Sequence, residues 1–239
     1  MQLEVEDVRR RLAAARRITV VTGAGVSAAS GVPTFRGAGG LWRNHQPQQL
    51  ATPEAFARDP LLVWEWYAWR REVIAACAPN AAHRVIAQWS ARPGFTLVTQ
   101  NVDGLHERAG TQHVIRYHGS IWIMQCAAGC GRPDWEDLRV PLAPMPPHCP
   151  ECGGLARPGV VWFGEAIPPA ALRAADAATA CELFLSIGTS SVVYPAAALA
   201  AQARARGAFV IEVNPETTGI GADLAFPLPA EAVLPLFGG

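Results

Sequence analysis

Ile18-Thr19-Val20-Val21-Thr22-Gly23-Ala24-Gly25-Val26-Ser27-Ala28 is the stretch from which the fold can be read. Five β-branched residues in a row, with no polar alternation, describe a strand buried on both faces, as in a parallel sheet covered by helices. The residues that follow fit G-x-G-x-x-A, the turn that offers backbone N–H groups and the positive end of a helix dipole to a pyrophosphate. A tight turn that only links strand to helix would use the same glycines.

The same grammar continues on both sides. Upstream, Leu3, Val8, Leu12 and Ala15 recur at helical spacing. Downstream, short apolar runs at 95–98, 114–117, 183–187 and 209–213 alternate with helical patterns at 61–76, 80–91, 169–180 and 196–206. Strands alternating with helices imply an α/β fold with a Rossmann-like, doubly wound parallel sheet. Residues 124–156 break the rhythm with four cysteines, six prolines and no long apolar period, and are expected to form a small inserted module.

Composition narrows the function. Half of the 239 residues are apolar and 17% are charged, as in a globular chain and unlike a disordered one. Twenty Arg balance twenty Asp and Glu, so no global field attracts nucleic acid or an acidic membrane, and neither is expected as a partner. There is no Lys, which excludes a P-loop lysine, a Schiff-base lysine and a lysine general base. The first 17 residues carry Glu4, Glu6 and Asp7 and lack a secretory h-region, and no apolar run reaches the ~18 residues of a membrane span. A cytoplasmic monomer is the expectation.

Six cysteines divide into two isolated ones, Cys77 and Cys181, and two close pairs, Cys126-x3-Cys130 and Cys149-Pro-Glu-Cys152. Paired thiolates followed by Gly153-Gly154 suit a tetrahedral zinc ion in a reducing compartment. Four protein ligands leave no open coordination position, so the ion would be structural. His148 is a rival ligand.

Four polar groups fall just beyond predicted strands, where an open α/β sheet binds ligands: Gln100-Asn101-Val102-Asp103, His118-Gly119-Ser120, Gly188-Thr189-Ser190 and Asn214-Pro215-Glu216. Any one could be a turn or helix cap, Thr189 and Ser190 especially. A dinucleotide dehydrogenase places an acidic residue about 20 positions after its glycine turn. Here Leu41-Trp42-Arg43-Asn44 holds none, and Asn214 with Glu216 offers a substitute.

Gly23-Ala-Gly-Val-Ser-Ala-Ala-Ser-Gly-Val-Pro-Thr-Phe-Arg36, Thr99-Gln-Asn-Val-Asp103, Tyr117-His-Gly-Ser120, Val161-Trp-Phe-Gly-Glu165, Gly188-Thr-Ser190 and the four cysteines together resemble the sirtuins, NAD-dependent protein-lysine deacylases. The resemblance implies NAD as co-substrate, with phosphates on Gly23, Ala24, Gly25, Gly188, Thr189 and Ser190. It implies Ser27, Gln100, Asn214 and Glu216 on the riboses, Ala232 near the adenine, Phe35 and Arg36 over the nicotinamide ribose, and Asn101 and Asp103 in the nicotinamide pocket. The acyl oxygen would attack the ribose C1′, leaving an alkylimidate, and His118 would act as general base. The products would be nicotinamide, free lysine and O-acyl-ADP-ribose.

On the same resemblance, 1–123 and 157–239 form the NAD-binding domain, 124–156 the zinc module, and the helical segment 41–92 a substrate-side cover. Val160 to Phe163, with Val161, Trp162 and Phe163, would face Ser191 to Val193 across an acyl-peptide groove, although ordinary core strands explain these apolar residues equally well. Tyr67 and Arg70 lie three apart, on one helix face, and by themselves would read as an aromatic-rich surface pair. Within the sirtuins Tyr-x-x-Arg resembles the class III branch, which implies removal of succinyl, malonyl or glutaryl groups in preference to acetyl. Ala29 departs from the Glu often found there. An ADP-ribosyltransferase is the other enzymatic reading.

Overall fold

The computed structural model describes residues 2–33 and 46–238. Phe35, Arg36 and the stretch 41–44, all given roles or weight above, lie outside the described residues. Helix α1 (Gln2–Ala14) leads into β1 (Ile18–Thr22), and the glycine turn opens on the four-residue α2 (Gly25–Ala28). Four helices follow: α3 (Pro47–Leu50), α4 (Pro53–Arg58), α5 (Pro60–Ala76) and α6 (Ala81–Ser90). Then come β2 (Phe95–Thr99), α7 (Leu105–Arg108), β3 (Val114–Arg116), β4 (Gly119–Cys126), β5 (Trp135–Glu136) and β6 (Ala156–Val160). The chain closes with α8 (Pro169–Ala178), β7 (Leu183–Ile187), α9 (Leu199–Ala205), β8 (Phe209–Val213), β9 (Leu224–Phe226) and α10 (Ala230–Phe237).

Six strands form one all-parallel sheet in the order β3-β2-β1-β7-β8-β9. Strand alternation sends Ile18, Val20, Leu183, Leu185, Ile211 and Val213 to one face, under α1, α6 and α10. Val21, Val98, Phe184 and Val210 face the other side, under α8 and α9. Every residue of β1 and β7 is buried, as the unbroken β-branched run requires. The chain is therefore doubly wound, and the order reverses between β1 and β7, the switch point at which such sheets bind ligands.

A second layer carries a separate core. Strands β5-β4-β6 form a small antiparallel sheet, so its strands begin at 119 and end at 160, outside the 124–156 interval that the cysteines mark. Trp64, Trp66, Tyr67 and Ile74 of α5 pack on Ile121, Met124 and Trp162 of this layer, and the Trp64 indole donates to the Ala156 carbonyl at 2.8 Å. Helix α6, by contrast, packs on the main sheet, so the described part of this segment, 46–92, serves both layers. Among the described residues, no helix is long and apolar enough to cross a membrane.

Candidate functional site

Three of the four polar groups read after the strands are joined by hydrogen bonds at the carboxyl edge of the main sheet, those of Gln100, His118 and Thr189, while Asn214 and Glu216 follow β8 without a bond to them among the described residues. Gly23 and Gly25 are there for closeness: a Cβ on either would lie 2.8 Å from atoms of Gly188 or Thr189. The N–H of Gly23 donates to Ile187 and that of Gly25 to Gly188, while Gly188, at φ +60°, donates to Val213. These bonds lock the turn onto the β7 end. Among the described residues no bond engages the backbone N–H of Ala24, Thr189 or Ser190, which leaves these donors at the turn for an anion.

Asn101 donates through Nδ2 to the Gly23 carbonyl at 3.1 Å and to Ser27 Oγ at 3.2 Å. Gln100 reaches across to Thr189 Oγ1 at 2.9 Å. Ser27 is 1% exposed and gives its own proton to Asp103 Oδ2 at 2.8 Å, so it lies beneath Asn101 and Asp103 and not open to a ribose. Asp103 is buried, which pushes its carboxyl up against the pull of the Leu105 N–H and the Ser27 hydroxyl.

His118 sits half-buried at the end of β3, and its Nδ1 lies 3.1 Å from the Gln100 carbonyl. A carbonyl only accepts, so Nδ1 carries the proton and Nε2 is left as the base. Burial lowers the pKa of this imidazole and so favours its neutral form near pH 7, against the smaller upward pull of the Gln100 carbonyl.

Two histidines that the sequence had left without a role lie directly below. The Asn80 N–H donates to His83 Nδ1 at 3.3 Å, placing the proton on Nε2, which faces Ser27 Oγ at 3.4 Å. His106 Nε2 meets Thr22 Oγ1 at 3.0 Å, and the two rings are 4.8 Å apart. Burial takes His83 down to about 4 and His106 to about 3. The one local signal was the Asn80-x-x-His83 capping box at the start of α6.

These pieces match a known pattern: the Sir2 family model aligns with residues 23–195, which hold the glycine turn, His118 and the four cysteines. The chain belongs to the Sir2 family. It is 53% identical over 213 residues to the NAD-dependent protein deacylase of Aquifex aeolicus, covering 87% of this chain and 88% of that protein. The mitochondrial NAD-dependent protein deacylase sirtuin-5 of Canis lupus familiaris is 49% identical over 239 residues, with 89% of this chain and 77% of that protein covered. The crystal structure of a Sir2 homologue in complex with NAD superposes with a TM-score of 0.90 at 43% identity, covering 97% of this chain and 92% of that one.

In this Sir2 chain the remaining site residues fall as follows. Asn214 is half-buried just past β8, and its N–H donates to Phe226 at 3.2 Å, while Glu216 and Ala232 are exposed. Neither 161–163 nor 191–193 is a strand. The N–H groups of Val161, Trp162 and Phe163 go to His118, Glu165 and Ala51, and the Trp162 carbonyl accepts from the Glu165 N–H. Phe163, Val192 and Val193 are exposed apolar residues. Trp162 instead turns inward and donates its indole N–H to Tyr67 Oη at 3.0 Å. Burial raises the Tyr67 phenol to about 12, and the Arg70 guanidinium, 5.1 Å over the Trp66 ring, is held below its usual value by burial.

The four cysteine sulfurs lie within 4.8 Å of one another, with Cys126 to Cys152 at 3.6 Å and Cys130 to Cys149 at 3.8 Å. Tetrahedral zinc with bonds of 2.3 Å sets its sulfurs about 3.8 Å apart, so the donor set fits. Among the described residues His148 is not in this cluster. The Cys130 N–H and the neighbouring thiols lower Cys126 while Cys130 and Cys152 are pushed up by their sulfur neighbours, as four close thiols sharing one site require.

Proposed function

We propose that this chain is an NAD-dependent protein-lysine deacylase that prefers acyl groups ending in a carboxylate, succinyl and malonyl, over acetyl. The observation that carries the first half is the junction of Asn101, Gln100, Thr189 and His118 on the glycine turn. NAD, when bound, supplies an electrophilic ribose carbon with nicotinamide as leaving group. Ala24, Thr189 and Ser190 hold its phosphates through backbone N–H groups, with Gly23, Gly25 and Gly188 allowing the close approach. Gln100, Asn214 and Glu216 hold the riboses, and Ala232 flanks the adenine. Asn101 and Asp103 line the nicotinamide pocket on the support of Ser27. His118 Nε2 takes a ribose hydroxyl proton. Val161, Phe163 and Val193 bound the acyl-peptide groove. The zinc on Cys126, Cys130, Cys149 and Cys152 shapes the small sheet and takes no part in the chemistry.

The second half rests on Tyr67 and Arg70, one helical turn apart on α5. A guanidinium that burial disfavours gains most from an anion, and its planar fork suits a carboxylate. Measured kcat/KM for succinyl-lysine and acetyl-lysine peptides tests it: Arg70→Met lowers succinyl turnover about tenfold or more and acetyl turnover much less. Equal losses on both substrates, or a wild type that prefers acetyl, overturn the acidic-acyl reading.

A further inference from the structure

Tyr67 does not stand alone in the acyl pocket. Its hydroxyl oxygen accepts the Trp162 indole N–H, so the proton of that hydroxyl is directed away from Trp162. The indole is itself held on several sides. Arg157 lies flat over its ring, with Cζ 3.7 Å from the centroid, and Phe56 packs against it at 5.2 Å. Glu165 accepts from both arms of Arg157, at 2.6 and 2.8 Å, and from the Trp162 backbone N–H at 2.8 Å. Arg157 further ties itself to the Val160 carbonyl at 3.1 Å. A stacked, bidentate guanidinium fixes the plane of an aromatic ring in a way that a lysine does not.

We propose that Arg157 is a positioning residue for acyl selectivity, acting through Glu165 and the Trp162 indole to present the Tyr67 hydroxyl as a donor to an acidic acyl group. This rests on the acidic-acyl reading above. Arg157 sits on β6, ninety residues from Tyr67 in sequence, and its ring contact reaches Tyr67 through the hydrogen-bonded Trp162. An acetyl group carries no terminal carboxylate to accept from that hydroxyl, so the bond separates the two substrate classes.

The test compares Arg157→Met, Arg157→Lys and Trp162→Phe with wild type on succinyl-lysine and acetyl-lysine peptides. The succinyl-to-acetyl ratio of kcat/KM falls about three- to tenfold in Arg157→Met and Trp162→Phe, the scale of one mispositioned hydrogen bond. Arg157→Lys, which keeps the charge for Glu165 but not the stacked fork, falls between. A merely structural role lowers both substrates together and leaves the ratio unchanged, which overturns the proposal. The heteronuclear NMR signal of the Trp162 indole N–H, identified by its loss in Trp162→Phe, shifts in Tyr67→Phe; an unmoved signal also overturns it. A wild type without succinyl preference removes the reading beneath, and that shows in the wild-type ratio alone.

Discussion

Acidification from pH 7 to 5.5 destabilises this protein through two buried imidazoles. His83 is fully buried and His106 is 1% exposed, and both are neutral in the fold, at about 4 and about 3 against an ordinary value of 6.5. The unfolded chain therefore binds protons that the folded one refuses, so stability falls as pH drops below 6.5 and the loss levels off near pH 4 and 3. At pH 5.5 each histidine has cost about 1 kcal/mol of stability and the pair about 2–3 kcal/mol, from a total of about 5–15 kcal/mol. His118, also lowered by burial, adds in the same direction, whereas the raised Asp103 carboxyl works against it. Carboxylates held low by arginines, such as Asp7, Asp137 and Glu165, begin to contribute only below about pH 5. Urea unfolding at pH 7, 6.5, 6 and 5.5 measures the loss, and His106→Gln removes close to half of it. A pH slope identical in wild type, His106→Gln and His83→Gln would refute the reasoning.

Other perturbations have equally definite outcomes. His118→Ala lowers deacylation about 10²- to 10⁴-fold with NAD affinity held within a few-fold, and the acid limb of wild-type kcat/KM lies below pH 6.5, as kinetics and calorimetry will show. Cys149→Ser combined with Cys152→Ser abolishes zinc binding and lowers the melting temperature, read by metal analysis and calorimetry; a folded, zinc-free protein of normal stability contradicts it. Asp137→Ala leaves the 1% exposed Arg71 without the carboxylate 3.3 Å away, and denaturant unfolding should show a loss of about 3–5 kcal/mol.

How far the sequence could be read depends on the range of the interactions. β1, β7 and β8 were legible because burial on both faces writes itself as a continuous apolar run. β9 and α10 were not, since Pro227, Pro229 and Pro235 interrupt any period; Leu224 and Phe226 pair with Ile211 and Val213 only once the sheet exists. The strand β4 was missed because Ile121 to Met124 leads straight into the cysteine module and carries no turn signal of its own. The zinc ligands were legible as two local pairs. The Tyr67 to Trp162 bond spans 95 residues, and the contacts of His83 with Ser27 and of His106 with Thr22 span 56 and 84, distances at which spacing carries no signal.

The most direct test of the central claim is mass spectrometry of the purified protein incubated with NAD and a panel of acyl-lysine peptides. The account predicts free lysine peptide, nicotinamide and O-acyl-ADP-ribose in equal amounts, fastest with succinyl or malonyl peptide and strictly dependent on NAD. Loss of acyl groups without NAD, or ADP-ribose from NAD ending on protein with the acyl peptide untouched, would contradict it.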